Sequence, residues 1–202
     1  LDKLNENLAE GNVVLTDTSL LGDLGENVLV SIERASLNGK VATEPQGDNL
    51  FSAVQATIPV TMVGGAGQDT LLGGLGADYL NGNSGNDVLD GHDDDDRVIG
   101  GGGDDQLSGG RGDDYLKGQG GTDLLSEVGD TDFELTDDSL DGRGRDRLSG
   151  IERARLEGGA GDNSIDARKF SGSTTLLGAA GNDLLRGGRA YDRIDGGDGD
   201  DR

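Results

Sequence analysis

The sequence predicts an all-β protein, a narrow parallel solenoid, and three regularities in one stretch predict it. From Gly64 to Ser126 the chain divides without a gap into seven nine-residue units: GGAGQDTLL, GGLGADYLN, GNSGNDVLD, GHDDDDRVI, GGGGDDQLS, GGRGDDYLK and GQGGTDLLS. The first position is always Gly. The sixth is always Asp: Asp69, Asp78, Asp87, Asp96, Asp105, Asp114 and Asp123. The eighth is always aliphatic: Leu71, Leu80, Leu89, Val98, Leu107, Leu116 and Leu125. A flexible linker has no reason to keep an aliphatic residue in register every nine.

Each column has a physical meaning. A GGxGxD segment reads as a turn whose glycines permit positive φ and close approach of the backbone to an ion. The last three residues read as a short strand with the middle side chain pointing inward. Turn carbonyls and the Asp carboxylate are hard oxygen ligands, the kind Ca²⁺ takes six to eight of. One turn supplies too few. Two turns stacked at the strand spacing of about 4.8 Å can close a cage between them.

This pattern resembles the RTX family, the haemolysin-type calcium-binding repeats, strongly over residues 64–126 and more weakly elsewhere. The resemblance implies a right-handed parallel β-roll, several bound Ca²⁺ ions, and backbone carbonyls of turn positions one to four completing each cage.

Composition agrees with a thin core. The 202 residues carry a net charge of −23, with 32% hydrophobic and 3% aromatic content. That is too acidic and too poor in large side chains for an ordinary compact core. Without calcium the same composition predicts a disordered chain. The acid surplus argues against nucleic acid, whose phosphates need Lys and Arg, and for multivalent cations. There is no cysteine. No run approaches the ~18 apolar residues of a membrane helix, and LDKLNENLAEGN is not a signal peptide. The chain stops within a repeat, GGDGDDR, so a fragment of a longer protein is expected.

Taken in order, residues 1–12 read as a lead-in with one helical turn. Residues 13–63 read as a non-standard solenoid spacer with strands at Val13-Val14-Leu15, Val28-Leu29-Val30, Ile32 to Leu37, Leu50-Phe51 and Ile58 to Val63. Residues 64–126 form the first RTX block, 127–177 a second spacer, and 178–202 a second block. The spacers repeat one another: LTDTSLLGDLGENVLVSIERASLNG (15–39) matches LTDDSLDGRGRDRLSGIERARLEG (135–158), and GDNLFSA (47–53) matches GDNSIDA (161–167). The unit is about 115–120 residues long.

Two nonapeptides make one coil, so alternate turns share an edge. Followed through the spacers, one edge is expected to carry Asn27, Asn49, Asp69, Asp87, Asp105, Asp123, Asp146, Asn163, Asp183 and Asp201, and the other Asp78, Asp96, Asp114 and Asp192. The whole would be one solenoid of about ten coils, on the order of 50 Å long. The expected calcium pairs are Asp69–Asp87, Asp87–Asp105, Asp105–Asp123, Asp78–Asp96, Asp96–Asp114 and Asp183–Asp201. Asp146 and Asp192 occupy the same ligand column. Asn27, Asn49 and Asn163 would be weaker ligands, or simply holders of left-handed turn geometry.

Other residues read more plainly. The position-five acids Asp95, Asp104, Asp113 and Asp200 read as solvated surface. Asp94 and Ala190 stand where a position-four Gly would be easier if φ is positive. His92, the only histidine, cannot build a zinc site alone and reads as an exposed turn residue. Tyr79, Tyr115 and Tyr191 are expected to face outward. Arg143, Arg145, Arg147, Arg153 and Arg155 read as counter-ions to nearby acids. No catalytic motif accompanies the many Ser, Asp and Glu residues, so no enzyme is expected.

The expected function is a calcium-induced folding module of a large secreted RTX protein, extracellular or at the cell surface. The resemblance implies export by type I secretion. The fragment is expected to be monomeric, with a surface glycan or other RTX segments as partners. The alternatives are a stalk or ligand-binding region of a surface adhesin or surface-layer protein, or the accessory region of a secreted enzyme.

Overall fold

In the computed structural model of the chain, residues 48–202 are described throughout, and before them only the backbone of strands within 3–8, 12–15, 19–22, 25–28 and 34–39. The first strands are β1 (Lys3–Leu8), β2 (Asn12–Leu15), β3 (Ser19–Gly22), β4 (Gly25–Val28), β5 (Arg34–Gly39), β6 (Leu50–Ser52) and β7 (Val60–Ala66). The regular block contributes β8 (Thr70–Leu72), β9 (Tyr79–Ser84), β10 (Val88–Asp90), β11 (Arg97–Gly102), β12 (Gln106–Ser108), β13 (Tyr115–Gly120) and β14 (Leu124–Val128). Then come β15 (Phe133–Thr136), β16 (Ser139–Asp141), β17 (Arg145–Ser149), β18 (Arg153–Glu157), β19 (Ser164–Lys169) and β20 (Ser173–Leu177). The chain closes with β21 (Leu184–Arg186) and β22 (Asp192–Asp195). The protein is an all-β parallel solenoid.

Strands alternate between two sheets because each GGxGxD turn reverses the chain while three residues suffice to cross a face. One sheet runs β1-β5-β7-β9-β11-β13-β17-β16-β15-β19-β21, the other β22-β20-β18-β14-β12-β10-β8-β6-β2-β3-β4. The register is the coil length of 18: Leu71 lies beside Leu89, Leu89 beside Leu107, and Leu80 beside Val98. These position-eight side chains all point inward, and all but Leu89, at 1%, have no exposure. The core is therefore a stack of single aliphatic rungs, which explains how so acidic a chain can fold. In the spacers larger side chains fill wider coils: Phe51 and Phe170 are fully buried and Phe133 nearly so.

Residues 3–8 depart from the helical lead-in expected of 1–12: they form β1, which lies parallel to β5, and β2 begins at Asn12. The spacer strands belong to the same two sheets as the regular block, so the solenoid is continuous through them. Among the described residues it has about eight turns, against the ten expected of the whole chain. The difference lies in a three-strand antiparallel meander, β15-β16-β17, that stays in one sheet. Its last strand pairs with β13 and its first with β19. The meander spends chain without winding a coil. The first spacer contains the same device, β2-β3-β4, and there it lies in the opposite sheet. The two copies of the repeated unit thus present their meanders on opposite faces.

Candidate metal centre

The site is a row of stacked turns along each edge of the solenoid. On one edge each Asp accepts, through Oδ1, the amide hydrogen of the residue one coil earlier. Asn49 N–H donates to Asp69 at 2.8 Å, Asp69 to Asp87 at 2.7 Å, Asp87 to Asp105 at 2.8 Å and Asp105 to Asp123 at 2.9 Å. On the other, Val60 N–H donates to Asp78 at 2.8 Å, Asp78 to Asp96 at 2.7 Å and Asp96 to Asp114 at 2.8 Å. In the late block Asn163 N–H donates to Asp183 at 2.8 Å and Asp183 to Asp201 at 2.9 Å. All six expected carboxylate pairs are thus brought together in adjacent coils.

The second carboxylate oxygen is the informative one. Oδ2 of Asp69, Asp87, Asp96, Asp105, Asp114, Asp123 and Asp183 is buried and has no hydrogen-bond partner. A buried unpaired acceptor costs about 1–3 kcal/mol, more when charged. Each lies over the position-one glycine of its own turn. A Cβ on Gly82 would collide with Asp87 Oδ2 and lie against the carbonyl oxygen of Gly100 from the next coil. Gly91 and Gly178 meet the same pair of oxygens, from Asp96 with Gly109 and from Asp183 with Gly196. Only a residue without Cβ leaves this space open. Among the described residues no three His, Cys, Asp or Glu side chains converge on one point. Beyond each Asp, the oxygens lining these spaces are backbone carbonyls, such as that of Gly100 over Gly82, hard donors of the kind that Ca²⁺ takes.

Burial also acts on the ionisation of this row. Burial pushes Asp96 up to about 9, with the Asp78 and Asp114 carboxylates adding to the rise. Burial likewise raises Asp146 to about 8, Asp105 to about 7, and Asp78, Asp87 and Asp114 to about 6. Asp69 and Asp123 move the same way, again through burial. Such a row of carboxylates resists ionisation until a cation compensates it.

The expected assignment of residues to edges needs correction beyond Asp123. Asp146 does not follow Asp123. It follows Asp114, whose N–H it accepts at 3.2 Å. Asn163, Asp183 and Asp201 then lie on the edge that leads into the sheet of β13 and β17, because Asn163 and Asp183 precede β19 and β21. Asp192 is the first residue of β22 in the opposite sheet, so it belongs to the edge of Asp69 to Asp123, where Thr174 N–H donates to it at 3.2 Å. The meander is the reason: three strands in one sheet return the chain to the same face after two extra turns. Asn49 and Asn163 do sit in the ligand column, both 6% exposed. The Asn49 amide donates to Asp69 Oδ1 at 2.9 Å. Asn163 Oδ1 accepts from Gly159 N–H at 2.8 Å and lies, with the Gly178 carbonyl oxygen, over Gly158. Asn27 lies within β4, and its side chain is outside the described residues.

Position five is more than solvated surface. These side chains are exposed, yet Asn86, Asp95, Asp104 and Asn182 each accept an amide hydrogen from the following coil. Asp104 N–H donates to Asn86 at 2.9 Å, Asp113 to Asp95 at 2.8 Å, Thr122 to Asp104 at 2.8 Å and Asp200 to Asn182 at 3.0 Å. Position six reaches back one coil and position five reaches forward. Because Asn performs this task at Asn86 and Asn182, Asp104→Asn is expected to change stability by under about 0.5 kcal/mol, measured by chemical unfolding in calcium.

The remaining expectations divide. Asp94 does adopt positive φ, at +77°, as does His92 at +77°, and Ala190 does not. His92 is half-buried in its turn, its N–H donating to Asp90 at 3.1 Å. Arg145 pairs with Asp141 at 3.3 Å, and Arg155 with Glu157. Arg143 donates instead to the Val128 carbonyl at 3.1 Å, and Arg147 and Arg153 make no ion pair among the described residues. The sequence reading missed Glu127 and Glu152. Glu127 is 3% exposed, stands where a position-one Gly would fall, and accepts from Gly109 N–H at 2.7 Å. The missing Gly in the register at Glu127, and the Glu33/Glu152 match between spacers, were the available signals.

The RTX calcium-binding nonapeptide repeat matches the chain in four copies, at residues 61–89, 90–125, 154–169 and 170–202. A search of curated proteins finds no match. With stacked GGxGxD turns, an aliphatic rung every nine residues and matches over more than half its length, the chain belongs to the RTX calcium-binding nonapeptide repeat family and is a calcium-binding repeat module.

Proposed function

We propose that this chain is a calcium-triggered folding module, without catalytic activity of its own, of a large secreted protein. The row of buried Oδ2 atoms without hydrogen bonds carries the reading. Asp69, Asp78, Asp87, Asp96, Asp105, Asp114, Asp123, Asp146, Asp183, Asp192 and Asp201 supply carboxylates to cages whose other oxygens are backbone carbonyls. The cation would supply charge neutralisation and a bridge between coils. The cages exist only when coils are stacked, so binding free energy becomes folding free energy. At low intracellular calcium the turns repel and the chain stays open, a state suited to passage through a type I export channel. At millimolar extracellular calcium, the range of weak extracellular sites, it rolls up.

Far-UV circular dichroism during a calcium titration tests this. A coil spectrum in chelator should convert cooperatively to β at roughly 0.1–1 mM calcium. Magnesium should fail, because it demands a tighter octahedral shell. A β spectrum in chelator that calcium leaves unchanged would sink the reading.

One observation favours a second role as a ligand-binding stalk of a surface protein. Tyr79, Arg97, Tyr115 and Arg147 stand side by side across β9, β11, β13 and β17. The Arg97 guanidinium lies 4.8 Å from the Tyr115 ring centre and 5.9 Å from that of Tyr79. An aromatic and cationic strip on so acidic a protein suits a surface glycan bearing carboxylates or sulfates. In a glycan screen run in calcium, Arg97→Ala should lower binding about tenfold, and no binding by the parent chain rules this role out.

A further inference from the structure

The regular cages need two successive GGxGxD turns, and after Thr122-Asp123 the next such turn on that edge is missing. The chain returns instead through Ser149-Gly150-Ile151-Glu152 before β18. Nevertheless the cradle is rebuilt there. Asp123 is wholly buried, and its Oδ2 has no hydrogen-bond partner. A Cβ on Gly118 would collide with Asp123 Oδ2 and with the carbonyl oxygen of Gly150. This is the pair of oxygens that meets over Gly82, with Gly150 replacing a position-one glycine. Gly150 adopts φ +65°, a conformation that other residues enter only at a cost. The Glu152 carboxylate accepts Asp123 N–H through Oε2 at 3.0 Å, the bond that Asp Oδ1 makes in every regular pair. Leu124 and Ala154's neighbour Arg153 lie in register, so Glu152 stands one coil beyond Asp123 in the ligand column. Its longer arm suits a return loop that is shorter than a six-residue turn.

We propose that Asp123, Gly150 and Glu152 form a further divalent-cation site, taking Ca²⁺, that joins the regular block to the spacer. The inference rests on reading the regular turns as calcium cages. Neither Gly150 nor Glu152 falls within the four matched repeats, and the spacing of nine does not lead to them. The site extends calcium control beyond the nonapeptides: the coil of β17 and β18 is pinned to that of β13 and β14 by the ion as well as by strand pairing. A spacer that would otherwise be free to detach at its shortest loop is thereby coupled to the block.

Native mass spectrometry of the full chain in saturating calcium tests the site by counting ions in the folded population, with circular dichroism as the folding control. Glu152→Gln keeps an acceptor for Asp123 N–H but removes the charge, and should carry one Ca²⁺ fewer than the parent. Should E152Q fail to fold, Gly118→Ala fills the cradle without touching Glu152 and should also lose one ion. An equal ion count in a folded variant beside a normally loaded parent overturns this site alone. A parent that takes up no calcium overturns it together with the folding-module reading.

Discussion

Asp105→Asn should abolish folding at calcium concentrations where the parent chain is only just folded. Asp105 borders two cages, with Asp87 behind it and Asp123 ahead. Its Oδ1 accepts Asp87 N–H at 2.8 Å, and its Oδ2 is buried without a partner. Asn keeps the first contact, because an amide oxygen also accepts, though less strongly than a carboxylate, and loses the negative charge that faces the cation. If each neighbouring cage weakens about tenfold, roughly 1.4 kcal/mol apiece, folding loses about 3 kcal/mol by linkage. Spread over roughly six cooperatively bound ions, this moves the calcium midpoint only about twofold. Near the parent's midpoint, however, it leaves about 1% of the chains folded. Circular dichroism at fixed calcium reads this directly. The exposed neighbour replacement Asp104→Asn, one residue away, is the control for charge alone. Equal effects from the two would mean that net charge, rather than the cages, sets the calcium requirement.

In chelator the chain should gain β structure on acidification, the reverse of ordinary acid denaturation. The sign follows from the direction of the shifts. Unfolded aspartates titrate near 3.8, whereas in the fold burial raises Asp78, Asp87 and Asp114 to about 6, Asp105 to about 7, Asp146 to about 8 and Asp96 to about 9. A raised carboxylate favours the fold while it can stay protonated. The contribution is whole below 3.8 and is lost as pH rises through the folded values. Folding without calcium is therefore opposed progressively from about pH 4 to pH 9. Lower pH also relieves the −23 charge. Circular dichroism from pH 8 down to pH 5, above the sequence pI of about 4.1, should show rising β content in chelator. In calcium the β signal should hold across this range, because the ion replaces the protons. A chelated chain whose spectrum is flat from pH 8 to pH 5 would show that the aspartate row is not what holds the apo chain open.

The sequence by itself determined the coil. A period of nine with Gly, Asp and an aliphatic residue in set columns is a local code, and each column maps onto one structural task. Leu71, Leu89 and Leu107 stack as rungs, and Asp69, Asp87 and Asp105 stack as a hydrogen-bonded row 18 residues apart. Position five was harder to read, because an exposed Asp and a hydrogen-bonding Asp look alike in sequence. Only the tertiary structure decided where the two edges go after Asp123. The β15-β16-β17 meander reverses direction within one sheet, and antiparallel pairing leaves no trace in residue spacing. Asp146 therefore stacks on Asp114, 32 residues away, and Glu152 on Asp123, 29 away. Those distances are set by which strand packs against which, a competition of pairings across the whole spacer, whereas the nonapeptide turn is settled within nine residues by backbone conformation alone.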